Sequence, residues 1–130
     1  MSWVEVFAVL LVSHFTGDYL LQTEWQALNK RGGLGRRSES RRALVSHVTT
    51  YTLAFVPAFV WLATDIGWAV IAAAAAVAVP HLIQDDGRLI ALYTRHLKGF
   101  EAADHPTVTA AVDQTFHFLA LFALALVVGN

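Results

Sequence analysis

The sequence predicts an all-α integral membrane protein: a single domain, residues 1–130, of four helices packed antiparallel, up and down. Three observations predict it. The chain is 56% hydrophobic and only 15% charged, with a mean hydropathy of +0.51, where soluble domains carry about 25% charged residues. Four apolar runs approach or exceed the roughly 20 residues that a helix needs to cross a bilayer. All nine Lys and Arg lie in or beside the first and third connections between those runs.

The elements follow in order. Helix one spans about residues 3–25, with Trp3 and Trp25 near its ends, where interfacial aromatics are favoured. No positive n-region precedes it, so it is expected to be a retained span rather than a signal peptide. The segment Asn29–Arg42 is basic and contains Gly32, Gly33 and Gly35; it is expected to be a flexible connection. Helix two covers about residues 43–63, with a kink at Pro57. Thr64–Gly67 is a tight turn that makes helices two and three antiparallel neighbours. Helix three covers about residues 67–93 and contains Pro80 and the run Ala72–Ala76, read as a close-packing face. After a polar connection, Pro106 and Thr107 mark the start of helix four, which runs over about residues 107–128.

The basic residues set the expected orientation. Lys30, Arg31, Arg36, Arg37, Arg41 and Arg42 lie in or beside the first connection, and Arg88, Arg95 and Lys98 in or beside the third; the second connection and both ends have none. The positive-inside rule makes the basic connections cytoplasmic and both termini external. Anionic headgroups are the expected neighbours of these charges. No aromatic interleaving accompanies them, so nucleic acid is not an expected partner.

The chemistry lies in seven polar residues within the apolar runs. His14 and Asp18, His81 and Asp85, and Asp113 and His117 are each spaced i,i+4, and His47 stands alone. That spacing puts both members of a pair on one helix face. Helices one and three run inward and read His-then-Asp, whereas helix four runs outward and reads Asp-then-His. The topology therefore stacks three histidines in a deeper layer and three aspartates in a shallower one, on the cytoplasmic side. His47 joins the shallow layer, with Tyr51 one turn deeper. Imidazole and carboxylate ligate Zn²⁺, Mn²⁺ and Fe²⁺, and helical bundles build two-metal sites from such inward-facing groups. All seven are candidate ligands for one or two divalent ions, zinc foremost. Gln22 and Gln114 are candidate hydrogen-bond donors around them, and Gly17 a point of close helix packing. Asp86 and Arg88 read as a surface ion pair, and His96 and His105 as solvent-facing. The chain has no cysteine, which excludes disulfides, thiolate nucleophiles and iron–sulfur clusters.

The blocks His14–Trp25, Asn29-Lys30, His47, His81…Asp85 and Asp113-Gln114…His117 resemble an uncharacterised family of short bacterial and phage membrane proteins (domain of unknown function 3307). That resemblance covers nearly the whole chain and implies a bacterial inner-membrane location. More loosely, the His and Asp pattern on short spans is similar to that of membrane-bound metal-dependent hydrolases. The leading functional expectation is accordingly a metal-dependent hydrolase acting on an amphiphile such as a lipid phosphoester. In it, Asp18, Asp85 and His47 are the candidate catalytic groups. A divalent-cation or proton transporter, and a noncatalytic metal, haem or structural module, use the same residues; homo-oligomerisation is compatible with each. The outer halves of the helices offer few polar groups for a transport route, and carboxylates beside the histidines suit hard or borderline cations better than haem.

Overall fold

The computed structural model describes residues 1–130. The protein is all-helical, without strands; the fourth expected helix is intact, but the first three are divided into shorter segments. Helix α1 (Trp3–Phe15) opens with a capping box, Ser2 Oγ accepting from the Glu5 amide and Glu5 Oε2 accepting from the Ser2 amide. It passes into a π-helical turn, Thr16–Leu20, closed by a bond from the Leu21 amide to the Thr16 carbonyl at 3.0 Å. Helix one therefore stops short of Trp25. Thr23 and Gln26 form a second capping box that starts a separate short helix, α2 (Glu24–Asn29).

Helix α3 (Ser38–Ala54) begins at Ser38 rather than at the expected Ala43 and ends at Phe55. Pro57 explains that end: it has no N–H to offer the carbonyl of Leu53 and sits in the first turn of the next helix, α4 (Val56–Ile66), where the missing donor costs nothing. Gly67, at φ +55°, turns the chain back into α5 (Val70–Asp85). Pro80 lies inside α5 without ending it. Gly87, at φ +82°, separates α5 from α6 (Arg88–Tyr93), so the expected third helix is also interrupted. A further π-helical turn, Thr94–Lys98, follows. Pro106 opens the last helix, α7 (Pro106–Val128), as expected.

Helix α1 packs against α7, α7 against α5, and α5 against α3, while the π-helical turn after α1 closes the ring against α3. The amino group of Met1 bonds Asp65 at 3.2 Å, and the Asn130 amide donates to the Met1 carbonyl at 2.9 Å. Both chain ends and the turn before α5 thus share one end of the molecule. At the other end the glycine-rich segment is docked, which corrects its reading as a flexible connection. The amides of Gly32 and Leu34 donate to the Asp86 carbonyl and carboxylate at 2.9 and 2.8 Å. Gly33 lies so close to Leu44 that a Cβ would fall 2.5 Å from that side chain.

The interior has two parts. Toward the chain termini it is apolar, built on Val6, Leu10, Phe55, Leu62, Leu121 and Ala125. Toward the docked segment it is polar: His14, Asp18, His47, His81, Asp85 and His117 are all buried. The outside reverses this pattern, with Val12, Val60, Ile71 and Leu119 each more than half exposed. The alanine run follows suit: only Ala73 of Ala72–Ala76 is fully buried, so most of that face points outward rather than packing. Two stretches, Val56–Asp85 and Pro106–Val128, are long and apolar enough to cross a membrane, although Gly67 turns the first back on itself.

Candidate metal centre

The π-helical turn gives His14 and Asp18 different tasks despite their i,i+4 spacing. His14 Nε2 and Asp18 Oδ2 still face one another at 3.7 Å, while each also engages other partners. Gly17 makes this possible, because the turn lies so close to α3 that a Cβ there would meet Tyr51 at 2.6 Å. Such π segments recur at functional sites.

Four ligand-type atoms converge from two helices, α3 and α5, and this turn. Asp18 Oδ1 lies 3.2 Å from His47 Nε2 and 3.5 Å from His81 Nε2. Asp85 Oδ2 lies 2.8 and 3.2 Å from the same two nitrogens, which are 3.1 Å from one another. A tetrahedral ion with ligands at about 2.0–2.1 Å holds its ligand atoms about 3.3–3.4 Å apart. The five separations, 2.8–3.5 Å, are near that spacing, and all four atoms lie within 4.8 Å of one another, so the group could hold a metal ion. Asp18 Oδ1 is buried without a hydrogen-bond partner, as are the outer Nδ1 atoms of His47 and His81. The His81 ring is instead fixed by stacking on Tyr51, centroids 3.4 Å apart and planes 3° from parallel.

A second group shares Asp85. Its Oδ1 lies 3.3 Å from His117 Nε2, and Asp113 completes a set of three that could hold a metal ion. The Asp113 carbonyl can only accept, so His117 Nδ1, at 2.8 Å, carries the proton. That bond leaves the Nε2 lone pair of the neutral ring directed inward, the orientation that a metal-ligating imidazole needs. Asp113 keeps a quarter of its side chain exposed, and with Asp85 it lines a pocket that also touches Lys30, Gln84 and Thr109.

His14, a candidate ligand in the sequence, is placed beside these groups with both ring nitrogens engaged. Its Nε2 donates to Gln114 Oε1 at 2.9 Å, which leaves Nδ1 to accept from the Tyr51 hydroxyl at 3.0 Å. Gln114 in turn donates to Asp18 Oδ2 at 3.5 Å. The line Tyr51–His14–Gln114–Asp18 thus occupies one carboxylate oxygen and leaves the other facing the two imidazoles. The expected histidine layer is present: the His117 ring centroid lies 5.4 Å from that of His14 and 4.7 Å from that of His81. Gln114 is the donor expected, whereas Gln22 accepts, its Oε1 receiving a bond from Lys30; His96 and His105 are exposed. Asp86 is buried and its bond to Arg88, at 3.2 Å, forms part of the docked segment's anchor rather than a purely surface pair.

In the sequence Lys30 counts toward the orientation charge and the resemblance, without a role in the site; its Nζ sits 2.6 Å from both Asp85 Oδ2 and Gln22 Oε1. The signal for its position was the Thr23–Gln26 capping box, which starts the short helix that ends beside Lys30. With ionised carboxylates and neutral imidazoles, Asp18, Asp85 and Asp113 carry three negative charges against the single positive charge of Lys30. The excess of two equals the charge of one divalent cation. Uncompensated buried charge is costly; a cation between the carboxylates would offset it, as would protonation of the neighbouring imidazoles.

No curated protein and no solved structure matches the chain. The family model described as a protein of unknown function, DUF3307, matches residues 6–130, and the chain belongs to that family.

Proposed function

We propose that this chain is a four-pass membrane protein, with both termini outside, that holds one or two divalent metal ions in its cytoplasmic half and uses them in hydrolysis. The single observation that carries the metal reading is the convergence of Asp18 Oδ1, His47 Nε2, His81 Nε2 and Asp85 Oδ2 at separations of 2.8–3.5 Å. Two imidazoles and two carboxylates near tetrahedral spacing suit zinc, while manganese and iron accept the same donors. The membrane reading is supported by the apolar exterior around a polar interior, since contiguous apolar surface of this kind is rare on soluble monomers. The sidedness is supported by the basic residues gathered at the polar end.

The two metal positions differ in a way that bears on catalysis. The inner one has four protein ligands and is closed, the arrangement of a structural ion. The outer one, formed by Asp85, Asp113 and His117, has three and adjoins a pocket. A divalent ion there would lower the pKa of a bound water toward neutrality. Asp85 would hold the two positions in register through its two oxygens, His117 would be kept in its ligating tautomer by the Asp113 carbonyl, and Asp113, the carboxylate with solvent contact, would pass the released proton outward. Chromogenic phosphoesters and amides, offered to metal-loaded protein in mild detergent, test the catalytic half of this reading. Metal-dependent turnover that falls at least about 100-fold in Asp113→Asn is expected, with the inner ion retained. Absence of metal-dependent turnover across the panel contradicts the hydrolase reading, and absence of bound metal contradicts the whole.

A further inference from the structure

Lys30 is the only ammonium or guanidinium group bonded to the site carboxylates, and it arrives from the connecting segment rather than from a packed helix. Its position is built. Helix α2 starts on its own capping box, and the residues after Lys30 are pinned by the bonds of Gly32 and Leu34 to Asp86. An ammonium has three N–H donors; two of Lys30's are directed at Gln22 and Asp85, and the side chain lines the same pocket as Asp113. Arg31 follows at the mouth, its stem lying 3.5–4.0 Å from where a Cβ on Gly87 would stand. The pocket is small, a cavity of about 30 Å³ that opens to solvent, so it admits one small group at most. Gln84 is part of its wall, and its buried Oε1 has no hydrogen-bond partner.

We propose that this pocket is an oxyanion subsite, in which the third N–H of Lys30 and the guanidinium of Arg31 receive a phosphate-type group beside Asp113. The proposal rests on the metal reading, because three carboxylates would repel an anion. With two divalent ions, the four positive charges added to the excess of two negative ones leave a net positive site. A lipid phosphomonoester headgroup and free phosphate share the required chemistry. The metal-free protein binds neither strongly, because the carboxylates then dominate the pocket.

The test uses the full chain in detergent, loaded with Zn²⁺ or Mn²⁺, with metal content measured on every sample. Binding of inorganic phosphate and of a short-chain phosphatidic acid is titrated by calorimetry for wild type, Lys30→Met and Lys30→Arg. The expected result is binding of at least one probe to the metal-loaded wild type, weakened at least tenfold in Lys30→Met at unchanged metal content and partly restored in Lys30→Arg. Binding of phosphate alone assigns a soluble anion as ligand; binding of phosphatidic acid, lost equally in Lys30→Met, assigns a headgroup. Metal-loaded protein that binds neither probe, or Lys30→Met that binds as tightly as wild type, overturns the subsite and leaves the metal reading standing. Protein that takes up no metal overturns both.

Discussion

The two halves of the interior solve the same packing problem with opposite materials. Near the chain termini, Val6, Leu10, Phe55, Leu62, Leu121 and Ala125 fill the space between the helices and require nothing further. Near the docked segment the space is filled by imidazole, carboxylate and amide groups, and several buried polar atoms, among them Asp18 Oδ1 and Gln84 Oε1, lack a partner. Native proteins rarely leave buried polar groups unsatisfied. The contrast sets an apolar half that supports the fold by shape against a polar half whose His and Asp groups could hold a metal ion.

That contrast can be broken by substitutions on either side. The largest effect is expected from Asp85→Asn, because Asp85 is the one residue common to both ligand sets. It should abolish binding at both positions, read as loss of all bound metal in purified protein; retention of one full equivalent would separate the two positions. Next comes Leu62→Ala in the apolar half, where the side chain is fully buried. It should lower stability by about 2–5 kcal/mol, the range for large-to-small core changes, measured by unfolding in detergent, while metal content stays at the wild-type level. A smaller effect is expected from Gln114→Ala, which removes the link between His14 and Asp18 without removing a ligand. Its metal affinity should fall about 10–100-fold, as for other residues that orient metal ligands, with stoichiometry intact at saturating metal.

Much of this was legible in the sequence because long apolar helices and the few polar residues within them obey strong rules. The polarity of the chain gave the helical class, and the reversal of the His and Asp order in helix four gave the layered register that the ring distances reproduce. What was not legible is local. The i,i+4 spacing of His14 and Asp18 correctly placed the two side by side, 3.7 Å apart, but it could not show the π-helical turn between them, or that His14 spends both ring nitrogens on Tyr51 and Gln114. Glycines at positions 32, 33 and 35 signalled freedom, but Gly33 is there for contact with Leu44, which no local pattern reveals. Lys30 looked like one more basic residue because its partner, Asp85, is 55 positions away.

The central claim is that the polar half is a metal centre, and the most direct test is metal titration of the purified wild-type chain with X-ray absorption at the metal edge. One or two equivalents of Zn²⁺, with an all nitrogen-and-oxygen shell at about 2.0–2.1 Å that includes imidazole, is the predicted result. A folded protein that takes up no Zn²⁺, Mn²⁺ or Fe²⁺ after repletion would contradict it, and would leave Asp18, Asp85 and Lys30 as a buried ion-pair network serving the fold alone.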